Sequence, residues 1–277
     1  MHTLDTGTED LLAELRGEEE ARIAILTLNR PQRRNALSTA MLSALATTLE
    51  LCERRSDVRC IIVTGSGPAF CAGGDVKGMA ERQTADASDS GFAAQLATQR
   101  AAQRNTVGRI YRMPKPVIAA LPGAAAGAGM GLCLACDLRI AADTAVMTTA
   151  FARVGFSGDF GLPWLLARQL GRAKALELLY LSDKLSAAQC LGMGLVNQVV
   201  PADRLMSAAV ALAERLASGP SVAYGSMKEN VTAAPEHELE PYMDGEVMRH
   251  LSAGLTEDHR EAVRAFVEKR EPRFRGR

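Results

Sequence analysis

Asp159 stands in "GFSGDFGLPW" (155–164) among glycines and aromatic rings, with no basic residue nearer than Arg153 or Arg168. A carboxylate without a counter-charge in apolar surroundings is costly, so the acid is either solvated or employed. Two employments fit. As an N-cap it would accept from the first amides of a helix that begins near Gly161 or Leu162. As a general base it would take a proton from a substrate, and partial burial would strengthen it provided it stays ionised at working pH. Two glycine-rich turns, "FCAGGDVKGM" (70–79) and "PGAAAGAGMG" (122–131), each follow a strand-like run and can open a helix. Each can aim unpaired backbone N–H groups at one external atom, and side by side they would make an oxyanion hole.

Other chemistries lose ground on residue supply. The four histidines, at 2, 237, 250 and 259, leave the central region without a Ser/His/Asp triad or a histidine cluster for a catalytic metal. Base chemistry there falls to a carboxylate. Cys133 and Cys136 form a CxxC, but the spacing also suits one face of an Ala-rich helix and no second pair accompanies it, so core packing is the reading. Neither GxxxxGK[ST] nor GxGxxG occurs at the glycine-rich turns, which disfavours nucleotide cofactors.

Bulk composition narrows the partners. The 277 residues carry 32 Lys plus Arg against 32 Asp plus Glu, giving no overall field to hold nucleic acid or an anionic membrane. With aromatic content of 4%, the chain lacks the stacking surface of a single-strand binder. Six scattered cysteines and an N-terminus without a basic start and apolar run imply a reduced, cytoplasmic protein. The longest apolar stretch is broken by Pro122 and four glycines, so it reads as strand, turn and helix rather than a membrane span.

These groups need elements to hold them. "RIAILTLN" (22–29) has strand character and ends before Pro31, Ser38 can cap a helix running to about Arg55, and "RCIIVTG" (59–65) is a strand apolar on both faces. The alternation continues with strands at 115–123, 138–142, 145–149 and 195–200, and helices at 127–136, 161–170, 172–181 and 186–193. Helical patterns follow at 203–218, 220–231, 236–251 and 256–270. Strand and helix in alternation predict an α/β core over 1–202 and a helical region over 203–277. Residues 80–108 divide into a polar connection and an amphipathic helix, either a solvated surface loop or a lid over a site.

"LNRPQRRNAL", "FCAGGDVKGM", "KPVIAALPGAAAGAGMGLCLACDLRIAA" and "LSAAQCLGMGLVNQVVP", in this order and spacing, resemble the crotonase (enoyl-CoA hydratase/isomerase) superfamily, and "AFVEKREPRF" matches its C-terminal pattern. The resemblance implies a ClpP-like spiral of ββα units in two near-perpendicular sheets, then a helical trimerisation region, assembled as homotrimers or homohexamers. It implies an acyl-CoA thioester as substrate, with coenzyme A part of that substrate and no metal or other cofactor. Carried over by motif, the N–H groups of Ala72 and Ala128 grip the thioester carbonyl. Arg33, Ala36, Gly73, Asp75, Lys77 and, from a neighbouring subunit or the tail, Phe266 and Lys269 stand where relatives contact CoA. Asp75 is read as turn structure rather than catalysis.

The departures bear on the reaction. Hydratases of the family use two glutamates, and those positions are Gly131 and Phe151 here. Asp159 falls where standard hydratases have Gly, but where several double-bond-shifting relatives have an acid and a dehalogenase has its nucleophile. Gly131, Phe151, Phe156, Phe160 and Trp164 would line the acyl pocket. The leading expectation is a CoA-thioester isomerase working through an enolate with Asp159 as acid/base. The alternatives are an enoyl-CoA hydratase, a hydrolase or dehalogenase with Asp159 as nucleophile, and a non-catalytic acyl-CoA binder.

Overall fold

Two antiparallel strands, β1 (His2–Leu4) and β2 (Leu11–Arg16), lead into β3 (Arg22–Leu28). The computed structural model describes residues 2–75 and 89–277. Helix α1 (Thr39–Arg54) follows, started by Ser38, whose hydroxyl accepts from the Met41 N–H at 3.0 Å, and it buries Met41, Leu45, Leu49 and Cys52. Strand β4 (Val58–Gly65) is buried along its whole length. Because side chains alternate sides along a strand, Ile61 and Val63 enter the main core while Cys60 and Ile62 enter a second one. A strand covered on both faces has no polar face to show, which explains its continuous apolar run.

The chain then repeats one step. β4 is followed by the short β5 (Ala69–Cys71), β6 (Val117–Leu121) by β7 (Ala124–Ala126), and β8 (Leu138–Ala142) by β9 (Val146–Thr148). The first member of each pair joins a sheet ordered β1-β2-β3-β4-β6-β8-β11, with β11 at Gln198–Val200. The second joins a sheet ordered β10-β9-β7-β5, with β10 at Leu185–Ser186. Between them lie α2 (Asp89–Asn105), α3 (Val107–Arg112) and α4 (Ala128–Ala135), and later α5 (Leu162–Leu170), α6 (Arg172–Leu181) and α7 (Ala187–Gly192). This is the expected spiral of ββα units.

The C-terminal helices are α8 (Leu205–Ala217), α9 (Ser221–Ala233), α10 (Leu239–Gly254) and α11 (Glu257–Glu268). α8 lays Leu205, Ala209, Ala213 and Ala217 on the second core, so the helical region that begins near 203 starts by covering the large sheet. α9, α10 and α11 leave Met227, Val231, Leu251 and Phe266 exposed, and Leu255, which caps the end of α10, is exposed too. No helix among the described residues is long and apolar enough to cross a membrane.

Two expectations change. The strand expected at 195–200 shortens to Gln198–Val200, because the Leu195 and Val196 N–H groups donate to the Cys190 carbonyl at the end of α7. Of the expected 80–108 segment, residues 80–88 lie outside the described residues, as does Lys77, and the rest is α2 and the start of α3.

Candidate active site

The site is built round the start of α4. Gly127, with φ of 52°, turns the chain from β7 into this helix, and its own N–H donates to the Thr148 carbonyl at 3.0 Å. The Ala128 N–H is the first in the helix, one of those that have no intrahelical acceptor. The other glycine-rich turn lies directly against it. A Cβ on Gly73 would stand 2.6 Å from the Ala126 carbonyl oxygen and 3.2 Å from the Ala128 nitrogen, so only glycine permits this approach of two backbones.

Within that turn the hydrogen bonds correct one expectation. The Ala72 N–H donates to the Arg34 carbonyl at 2.9 Å and is therefore not open to a ligand. The Gly73 carbonyl accepts from Leu37, and the Gly73 N–H faces the Cys71 sulfur at 3.5 Å. The Gly74 N–H is left with no acceptor among the described residues, although Gly74 bridges Leu37. Gly74 and Ala128 thus supply the two open amides, in place of Ala72 and Ala128. Two side chains hold this arrangement. Arg30 pairs with Asp75 at 3.2 Å and donates to the Ala36 carbonyl at 2.7 Å, while buried Asn35 donates to the Ser66 and Ala69 carbonyls at 2.9 and 2.8 Å. Asp75 therefore ties the turn to the preceding loop, and sequence reasoning missed its partner Arg30.

One turn further along α4, Gly131 faces Phe160. A Cβ at Gly131 would meet the Phe160 carbonyl oxygen at 2.6 Å and its Cβ at 3.2 Å. Phe160 and Gly161 both adopt left-handed backbone, with φ of 48° and 69°, and this double turn folds Asp159–Phe160 onto the helix. Ala128 and Gly131 are three residues apart, about 4.5 Å along a helix axis, so the acid's loop and the open amide share one end of α4.

The Asp159 carboxylate has three donors. The Phe160 N–H reaches Oδ1 at 2.8 Å, Gln99 Nε2 reaches Oδ2 at 2.6 Å, and Gln103 Nε2 also bonds Oδ1. Among the described residues no ion pair includes it. Burial pushes its pKa above the ordinary carboxylate value, and the Phe160 N–H, Gln99 and Gln103 oppose that rise by favouring the charged form. The capping alternative fails. The N-cap of α5 is Gly161, without a side-chain cap, and it is the Asp159 carbonyl that accepts from the Leu162 N–H at 3.0 Å.

The expected acyl-pocket residues divide. The Phe151 ring lies 3.7 Å from where a Gly127 Cβ would be, and the Phe160 backbone and Cβ cover Gly131, so these two buried residues adjoin α4. Phe156 is exposed. Trp164 belongs elsewhere: its ring meets Tyr111 edge to face at 5.2 Å, and Arg168, itself 3.5 Å from Glu236, lies 4.2 Å over it. That stacking, rather than a ligand, accounts for it. Of the residues matched to CoA contacts, Arg33 is exposed in a 3-10 turn beside buried Ala36, and Gly73 lines the amide pair. Phe266 is exposed on α11 and Lys269 ends that helix, neither joined to α4 by a described contact within the chain.

Gln99 and Gln103 were missed by sequence reasoning. The available signal was the recurrence of Gln95, Gln99 and Gln103 every four residues on an expected helix, which puts them on one face. The cysteines are all buried; Cys133 is pushed up to about 12 and Cys136 well above its ordinary value, both by burial, which suits packing and not thiolate chemistry.

Comparison with known proteins identifies the family. Residues 18–277 match the family model described as enoyl-CoA hydratase/isomerase. The chain is 38% identical over 258 residues to the 1,2-epoxyphenylacetyl-CoA isomerase of Escherichia coli K12, covering 93% of this chain and 97% of that one. It is 37% identical over 263 residues to the "Probable enoyl-CoA hydratase" of Rhodobacter capsulatus, covering 95% and 98%. A crystal structure of an enoyl-CoA hydratase from Polaromonas sp. JS666 superposes with a TM-score of 0.86 at 34% identity, covering 95% of this chain and 99% of that one. With a family match over nearly its whole length, relatives aligned end to end, and a shared crotonase fold, the chain belongs to the enoyl-CoA hydratase/isomerase family.

Proposed function

We propose that the protein is an acyl-CoA isomerase that moves a double bond through an enolate, with Asp159 as the single acid/base. The observation that carries the reading is a partly buried, uncharged-partner carboxylate folded onto the same end of α4 as an open amide. The thioester carbonyl would accept from the Gly74 and Ala128 N–H groups. The Asp159 carboxylate would remove a proton from one carbon, electrons would move to the carbonyl oxygen, and the protonated acid would return the proton to another carbon as the oxygen releases them. Atoms and charge balance without water or a redox partner, and the reading needs no metal; coenzyme A enters as part of the substrate.

Hydration is the second reading, since relatives carry hydratase names. The geometry at Gly131 weighs against the usual two-carboxylate route. One of its acids would have to grow from a position where even a Cβ meets the Phe160 carbonyl, and the other position is the buried ring of Phe151. Arg33, Ala36, Gly73 and Lys77 are assigned to the CoA moiety, with Phe266 and Lys269 supplied across a subunit contact. The exposed apolar residues of α9, α10 and α11 support a homotrimer or homohexamer.

Wild type and Asp159→Asn, each given 2-enoyl-CoA and 3-enoyl-CoA with products followed by chromatography and mass, test the proposal. Interconversion without the mass of water, lost in the variant, is expected. A hydrated product formed equally by both proteins would overturn it.

A further inference from the structure

Asp159 is held by two neutral amides from a separate element. Gln99 and Gln103 lie one turn apart on α2, and each takes a different carboxylate oxygen. The remaining donor is the acid's own neighbour, Phe160. The charged groups on the surrounding elements, Arg100 and Arg104 on α2, Arg109 and Arg112 on α3, Arg153 in the turn before the loop and Arg168 on α5, form no ion pair with it among the described residues. Arg109 is engaged by Glu50 and Glu53, and Arg168 by Trp164 and Glu236.

The identity of the clamp matters chemically. An arginine in the same place would favour the carboxylate so strongly that it became a poor base. Apolar residues would leave only the Phe160 N–H to oppose burial, and the acid would hold its proton to higher pH. A glutamine does neither, and it has a property that no cation has. Its NH2 donates to the carboxylate, and after a half-turn of the amide its carbonyl oxygen accepts from the carboxylic acid. It can therefore partner both states of a group that must gain a proton and then give it up.

We propose that Gln99 and Gln103 are positioning residues for Asp159, an amide clamp that fixes the carboxylate over α4 and partners both its charged and its protonated form during proton transfer. This rests on the reading of Asp159 as the base. The clamp makes α2, an otherwise largely exposed helix, part of the apparatus around Asp159, since both groups reach across from it.

The test uses Gln99→Leu, Gln103→Leu, the double variant and Gln103→Arg, beside wild type and Asp159→Asn. Two readouts are taken: kcat and KM against pH with 3-enoyl-CoA, and infrared titration of the carboxyl C=O band, assigned as the difference between each protein and the same protein carrying Asp159→Asn. Loss of kcat by about tenfold or more is expected in the Leu variants, within the range contributed by a general base, with KM changed less than about twofold. The acid limb and the carboxyl titration should move to higher pH in the Leu variants and to lower pH in Gln103→Arg. Opposite signs from two substitutions at one position are not produced by a merely structural helix contact. Titrations that stay in place while Asp159→Asn is inactive overturn the clamp alone. Full activity in Asp159→Asn overturns the base reading and the clamp's role with it, and the infrared titration still reports whether the two amides act on the carboxylate.

Discussion

At Gly131 the decisive quantity is a distance of 2.6 Å between a would-be Cβ and the Phe160 carbonyl oxygen. Any side chain there must push back the loop that carries Asp159, so Gly131→Ala should cost about 1–3 kcal/mol by chemical denaturation, the usual penalty for overpacking, and should lower activity as well. Unchanged stability and turnover would mean that the loop yields freely. Asp159 itself should act on stability with a definite sign. Burial raises its folded pKa above the unfolded value, so the folded state holds the proton more tightly. Stability from this group is complete below the unfolded pKa and is lost as pH rises through the folded pKa. Asp159→Asn should therefore unfold no earlier than wild type near neutral pH, with any advantage vanishing in acid, by thermal melts across pH. A neutral-pH melting point clearly below wild type would contradict this. Asp159 was legible in sequence because an acid without a basic neighbour is conspicuous. The choice among Ala72, Gly73 and Gly74 amides was not, because it depends on where carbonyls of the Arg34–Leu37 loop arrive.

Elements repeat this contrast. α1 was readable from Ser38 and the spacing of its apolar residues, since both cap and stripe are local. Ser38 also donates to Asp10, so the cap is anchored to the β1–β2 connection as well. Ser38→Ala should cost about 0.5–2 kcal/mol in equilibrium unfolding while leaving KM unaltered; no loss of stability would show that the cap is dispensable. β5, β7 and β10 are two or three residues long, too short for alternation to register, and they form only because neighbouring turns of the spiral pair with them. α2 was expected as an amphipathic helix or a lid component. The role proposed for it rests on a contact between Gln99, Gln103 and a loop some sixty positions away in sequence; the four-residue spacing of the glutamines puts them on one face but does not identify the loop they reach.

Across the whole molecule, the large sheet separates two cores, one under α1 and α4 and one under α8, and the site stands where the small sheet meets the start of α4. That arrangement gives rigid support to two open amides and, through the contact of Phe160 with Gly131, to the loop that carries Asp159, while the ends proposed to meet CoA lie on an exposed turn and on α11. The family could be read from order and spacing of motifs; the reaction could not, because relatives with one fold and similar turns differ in a few side chains. The measurement closest to the central claim is solvent-deuterium incorporation into an enoyl-CoA by wild type and Asp159→Asn, followed by mass spectrometry. The account predicts incorporation at the carbons flanking the shifting double bond in the wild type, through exchange of the protonated Asp159 with solvent between removal and return, and none in the variant. Equal incorporation by both proteins would contradict it and place the base elsewhere.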